Sequence, residues 1–137
     1  MTVETTELKL ASRIEAVNEA ATAVAGLVTP SGIGDEAAFG IDIAVREAVT
    51  NAVLHGNQLD ESKFVEIHVK SSPQVVEIYV HDQGSGFDPL TVPDPTKAEN
   101  ILKTSGRGIF LMRSFMDEVE WSIHPRGGTT VHMIKRI

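Results

Sequence analysis

Two short runs of strict alternation, Lys63–Lys70 and Gln74–His81, constrain this chain more than any other feature. In the first, Val65, Ile67 and Val69 share a side; in the second, Val76, Ile78 and Val80 do. Successive side chains of a strand point to opposite faces, so each run has one apolar face and one polar face. Ser71-Ser72-Pro73 separates the runs, and so short a link joins antiparallel neighbours as a β-hairpin. A sheet built on it needs covering on one side only.

The remaining segments supply the cover and the other strands. Thr6 to Leu10 alternates weakly and reads as an edge strand. Ser12-Arg13-Ile14-Glu15 has the form of a capping box, which would start a helix over Arg13–Val28. Thr29-Pro30-Ser31-Gly32 breaks it. Asp35 is a good N-cap for a second helix over Glu36–His55. There Ile41, Ala44, Val45, Ala48, Val49, Ala52 and Val53 follow helical spacing and form one broad apolar face. Gly56 reads as its C-terminal stop. Asp82–Ser105 has no strong period and reads as a long loop, with a short helix expected around Ala98–Leu102. Loops of this length in compact domains are functional or disordered. A helix over Gly108–Met116 follows. Val119, Trp121 and Ile123 alternate, as do Val131 and Met133, with Pro125-Arg126-Gly127-Gly128 as the turn between two last strands. The whole predicts one domain over 1–137: an α+β, two-layer sandwich with a mostly antiparallel sheet and helices on one face.

Composition narrows the function. With 137 residues the chain can bury a core without staples, and it has no cysteine. Disulfide frameworks, thiolate zinc sites and cysteine nucleophiles are thereby excluded. The net charge of −7 argues against direct nucleic-acid binding, which needs clustered Lys and Arg. No run approaches the roughly 18 apolar residues of a membrane span. The start, MTVETTELKLASR, lacks a basic region followed by an apolar run, so no signal peptide and a cytoplasmic location are expected.

Three stretches can carry chemistry. Along REAVTNAVLHGN (46–57), Glu47, Asn51 and His55 recur every four residues and stand in one column beside the apolar face. A carboxylate there can accept a proton, and an amide oxygen suits Mg²⁺. His55 reads as a helix-end residue, and the other four histidines as structural. In HDQGSGFDP (81–89), Asp82 closes a strand and can accept a hydrogen bond from a ligand amine. Gly84 and Gly86 let backbone approach closely. On its own this could equally be a plain turn. In TSGRGIFLMRSF (104–115), Gly106 and Gly108 open a helix whose free N–H groups suit phosphate, with Lys103 and Arg107 adding positive charge. The stretch is neither a P-loop nor a dinucleotide fingerprint.

The order of these elements is more specific than any one of them. REAVTNAVLHGN, HDQGSGFDP and GRGIFLMRSFMDEV (106–119), with Gly-Thr-Thr at 128–130, together resemble the GHKL ATPase superfamily. Within it the chain is most similar to the anti-sigma factor/serine-protein kinase family of RsbW and SpoIIAB type, over about Leu10 to Ile134. The resemblance implies ATP and Mg²⁺ as cofactors. Glu47 would be the general base toward a serine hydroxyl and Asn51 the Mg²⁺ ligand. Asp82 would pair with the adenine amine, with Gly84 and Gly86 giving it room. Lys103, Gly106, Arg107 and Gly108 would attend the phosphates, behind a lid formed by the long loop. Thr129 or Thr130 would touch the adenine side; the sequence does not say which. The implied partners are an anti-anti-sigma protein of the STAS type and a sigma factor, with room for a homodimer. The implied activity is a serine/threonine protein kinase that is also an anti-sigma factor. The rival is a nucleotide-gated binding module without kinase activity. Nothing resembles the phosphoacceptor helix of a two-component histidine kinase.

Overall fold

A computed structural model describes residues 4–29, 32–84, 104–124 and 127–137, and the backbone alone at 104–108. Five strands form one antiparallel sheet in the order β1-β2-β3-β5-β4. They are β1 (Glu4–Ala11), β2 (Phe64–Ser71), β3 (Val75–His81), β4 (Glu118–Ile123) and β5 (Thr129–Arg136). The expected hairpin is β2–β3, with Ile67 opposite Val80 and Val69 opposite Ile78. Its apolar residues face one way because the register pairs inward positions with inward positions. The weakly alternating start is indeed the edge strand, with Leu8 opposite Ile67 and Leu10 opposite Val65.

Three helices lie on that apolar face: α1 (Glu15–Val28), α2 (Asp35–Asn51) and α3 (Thr104–Phe115). The core joins Val24 and Val28 of α1 and Ile41, Val45 and Val49 of α2 to Ile67, Ile78 and Met133 of the sheet and Met112 of α3. All are at most 1% exposed. Burying each such side chain contributes about 1.5–3 kcal/mol, so this interface dominates the folding energy. Among the described residues, no helix is long and apolar enough to cross a membrane.

The helix ends depart from the sequence reading in instructive ways. No side chain caps α1, which begins at Glu15. Ser12 is instead drawn into the sheet margin: its amide donates to the Lys63 carbonyl at 3.1 Å. Its hydroxyl is buried without a partner among the described residues. Gly34, in extended conformation, takes the N-cap of α2, and Asp35 is the first helical residue. Gly56 does not lie beyond the helix. After Asn51 the helix widens into a π-helical turn, Ala52–Gly56. The Asn57 amide closes it on the Ala52 carbonyl at 2.8 Å. Helix α3 begins at Thr104, so Gly106 and Gly108 fall inside its first turns rather than ahead of it. The expected short helix around Ala98–Leu102, together with Gly86 and Lys103, lies outside the described residues.

Candidate functional site

The column of α2 runs from the half-buried Glu47 to Asn51, which is 7% exposed. The helix thus tilts its column inward, and Asn51 ends in a narrow cleft between α2, α3 and the sheet. The cleft is lined by Ala48, Asn51 and Ala52, by Val80 and Asp82 at the end of β3, by Met112 and Trp121, and by Thr129 and Val131 of β5. Two polar atoms in it, Asn51 Nδ2 and Thr129 Oγ1, are buried without a hydrogen-bond partner among the described residues. Leaving such a group unsatisfied costs about 1–3 kcal/mol, so the cleft is built for something polar.

Asp82 is 2% exposed. Its Oδ1 accepts the N–H of Gly84 and the N–H of Thr129, each at 3.1 Å. Its own amide donates to the Thr129 carbonyl at 3.0 Å. Burial pushes the carboxyl up from its ordinary value, and the two amides and the nearby His81 and His124 only partly counter this. The group is therefore a fixed acceptor, more basic than a free aspartate.

Glycines make that position reachable. A Cβ on Gly84 would overlap the carbonyl oxygen of Gly56, and a Cβ on Gly56 would strike the Asp82 carboxylate. The π-helical turn brings the Gly56 backbone to this spot. Gly128, at φ +94°, packs in the same way on the Asp82 carbonyl. The sequence reading missed Gly56 and Gly128 as parts of the site. They carry ordinary helix-stop and turn signals, and only the tertiary contact distinguishes them.

Glu47 sits one helical turn before Asn51. Burial raises its carboxyl above the ordinary value, which makes it a better proton acceptor than a free glutamate. The neighbouring Arg46 does not neutralise it. Arg46 Nε donates to Asp42 Oδ2 at 3.0 Å, and its NH groups reach Asn18 Oδ1 of α1 at 3.4 Å.

The structure separates the two threonines. Thr129 is 3% exposed and lines the cleft. Thr130 faces the other side of the sheet, as strand alternation requires, and its hydroxyl lies 2.8 Å from His81 Nδ1 and 2.7 Å from His124 Nε2. Thr130 is not among the residues that line the cleft. Gly106, Arg107 and Gly108 stand in the first turns of α3, whose later residue Met112 lines the cleft. The Arg107 side chain lies outside the description.

Comparison with known proteins agrees with this geometry. The family model of the histidine kinase-like ATPase domain matches residues 10–135. The chain belongs to this family. Within it, it is of the RsbW/SpoIIAB type. It is 40% identical to the anti-sigma F factor of Halalkalibacterium halodurans over 101 residues, covering 71% of this chain and 68% of that protein. It is 34% identical to the anti-sigma F factor of Geobacillus stearothermophilus over 135 residues, covering 93% and 89%. The structure of the RsbU and RsbW domains of Rv1364c from Mycobacterium tuberculosis superposes with a TM-score of 0.71 at 19% identity. That match spans 97% of this chain and 32% of the other, and it shows the shared fold. In a histidine kinase-like ATPase domain, a cleft between helices and sheet that holds unsatisfied polar atoms is a nucleotide-site candidate.

Proposed function

We propose that this chain binds ATP with Mg²⁺ in the cleft and transfers the γ-phosphoryl group to a serine of an anti-anti-sigma protein of the STAS type. In this reading it is an anti-sigma factor, holding a sigma factor inactive while its competitor is phosphorylated. The observation that carries the reading is the pair of polar atoms Asn51 Nδ2 and Thr129 Oγ1, buried without a partner among the described residues and sharing one cleft with the buried Asp82. The names of the similar anti-sigma F factors support a sigma factor as one partner.

Each residue has a part. Asp82 accepts a hydrogen bond from the adenine amine, and Thr129 satisfies its hydroxyl on the same ring. Gly86 leaves room for the base, and Gly84 lets the Gly56 carbonyl pack beside Asp82. Lys103, Gly106, Arg107 and Gly108 attend the phosphates, using backbone N–H groups at the start of α3 and positive charge. Asn51 fits Mg²⁺: its Nδ2 has no partner among the described residues, which leaves the side chain free to turn, and its amide oxygen is a hard ligand. Among the described residues no group of three His, Asp or Glu could hold a metal. When bound, Mg²⁺ neutralises phosphate charge. Glu47 takes the serine hydroxyl proton. The serine oxygen forms its bond to the γ-phosphorus as the bond to the β,γ-bridging oxygen breaks, and ADP leaves.

The test is incubation of the protein with γ-labelled ATP, Mg²⁺ and candidate STAS proteins. Label appearing on a partner serine is the expected result. Tight ATP binding with no label on any partner would overturn the kinase part and leave a nucleotide-gated binding module.

A further inference from the structure

We propose that Asn57 is a positioning residue of the nucleotide site: it fixes the Gln83–Gly84 backbone that orients Asp82, and so sets the preference for adenine. The proposal rests on the reading of Asp82 as the residue that meets the adenine amine.

Asn57 is 1% exposed, unusual for an amide side chain that no active-site role claims. It sits where the π-helical turn leaves α2. Its Oδ1 accepts the Gln83 N–H at 2.8 Å, and its Nδ2 donates to the Phe64 carbonyl at 3.0 Å. The Gln83 side chain returns the link, its Oε1 accepting the Phe64 N–H at 2.7 Å. Helix exit, start of β2 and exit of β3 are thus tied at one point. The next residue after Gln83 is Gly84, whose N–H is one of the two that hold Asp82 Oδ1. The peptide joining Gln83 to Gly84 is rigid, so fixing the Gln83 end restrains where the Gly84 N–H points.

The chain beyond Asn57 shows that this placement is held against strain. Gln58 and Leu59 both have positive φ, 53° and 59°. Two successive non-glycine residues in the left-handed region are costly, most of all a leucine that is 52% exposed. Their conformation is pinned by Leu59 N–H to the Val53 carbonyl at 2.8 Å and Asp60 N–H to the Asn57 carbonyl at 3.1 Å. The Phe64 bond alone would close the sheet margin. The bond to Gln83 is the one that reaches the site.

Adenine and guanine differ where Asp82 would read them. Adenine offers an amine donor at N6, and guanine offers the O6 acceptor in its place. The ratio of GTP to ATP dissociation constants therefore reports the aim of Asp82, and a general loss of stability does not move it. Asn57→Leu and Asn57→Ser cannot accept from Gln83 as Asn57 does; the ratio should fall about tenfold, the worth of one well-placed hydrogen bond. Asn57→Asp keeps an acceptor for the Gln83 N–H, loses the donor to Phe64 and sets a carboxylate oxygen against the Phe64 carbonyl. It should melt lower yet hold the ratio within about twofold of the parent, a difference small against that hydrogen bond. In the nucleotide-free protein, the Gln83 amide should exchange with solvent faster in the Leu and Ser variants and stay protected in the Asp variant. Asn57→Ser serves should the leucine fail to fold. Unchanged ratios in Asn57→Leu or Asn57→Ser, with only a lower melting temperature, would overturn the role of Asn57 alone. A parent protein that binds GTP as well as ATP would overturn the reading of Asp82 and this proposal with it.

Discussion

Replacing Asp82 with asparagine should make the nucleotide-free protein more stable and its hold on ATP weaker. The two effects come from one carboxylate. Oδ1 is committed to the N–H groups of Gly84 and Thr129. In Asp82→Asn the amide oxygen would keep these two bonds, and the NH₂ would take the place of Oδ2. The adenine amine would then meet a donor instead of an acceptor. A hydrogen bond to a charged group contributes about 1.5–3 kcal/mol, which corresponds to a rise of about 10- to 100-fold in the ATP dissociation constant. Stability follows the opposite sign. Burial raises the Asp82 carboxyl in the folded state, so the fold holds this proton more tightly than the unfolded chain does. The stability linked to it is fully present below the ordinary carboxyl range and is lost as pH rises through the raised native value. Asparagine has no such loss. The variant's advantage should be absent at acid pH and grow toward neutrality. Calorimetry with ATP and urea unfolding without nucleotide, both across pH, measure the two halves. An unchanged ATP affinity would refute the adenine role; an Asp82→Asn protein less stable than the parent at pH 7 would refute the electrostatic argument.

Three further outcomes follow from the packing. Gly84→Ala drives a Cβ into the Gly56 carbonyl, and one backbone segment must move; urea unfolding should show a loss of about 3 kcal/mol or more, at the upper end of overpacking. Thr129→Val removes a buried hydroxyl that has no partner among the described residues, so the nucleotide-free protein should gain about 1 kcal/mol while ATP binding weakens, as thermal melting with and without ATP would report. Ile67→Ala opens a cavity under the helices at a fully buried position and should cost about 2–5 kcal/mol by chemical denaturation.

Much of the architecture was legible because it rests on periodicity. The alternation of Val65, Ile67 and Val69 against Val76, Ile78 and Val80 set the hairpin and its buried face, and helical spacing set the buried face of α2. The sheet order was not legible, since nothing local in β4 or β5 tells that β5 pairs with β3 and stands between β3 and β4. Helix ends were the weakest reading. Ser12 has every local sign of a cap, but the Lys63 carbonyl outcompetes that use of its backbone. The π-helical turn has no sequence mark. It is held by contacts far away in the chain, through Gly56 against Asp82 and Asn57 against Phe64 and Gln83. Of the candidate site, Asn51, Asp82 and Thr129 converge on the cleft, with Glu47 one turn away on α2. Thr129 and Thr130 could be told apart only once the strand register was known, since a shift of one residue exchanges their faces.

The central claim is that one cleft binds ATP while Glu47 activates an incoming serine. Glu47→Gln tests it most directly, because it keeps the size and removes the base. Measured side by side with the parent, this variant should bind ATP with the same affinity and transfer phosphate to a STAS serine about 10²- to 10⁴-fold more slowly. Transfer at the parent's rate would contradict the claim.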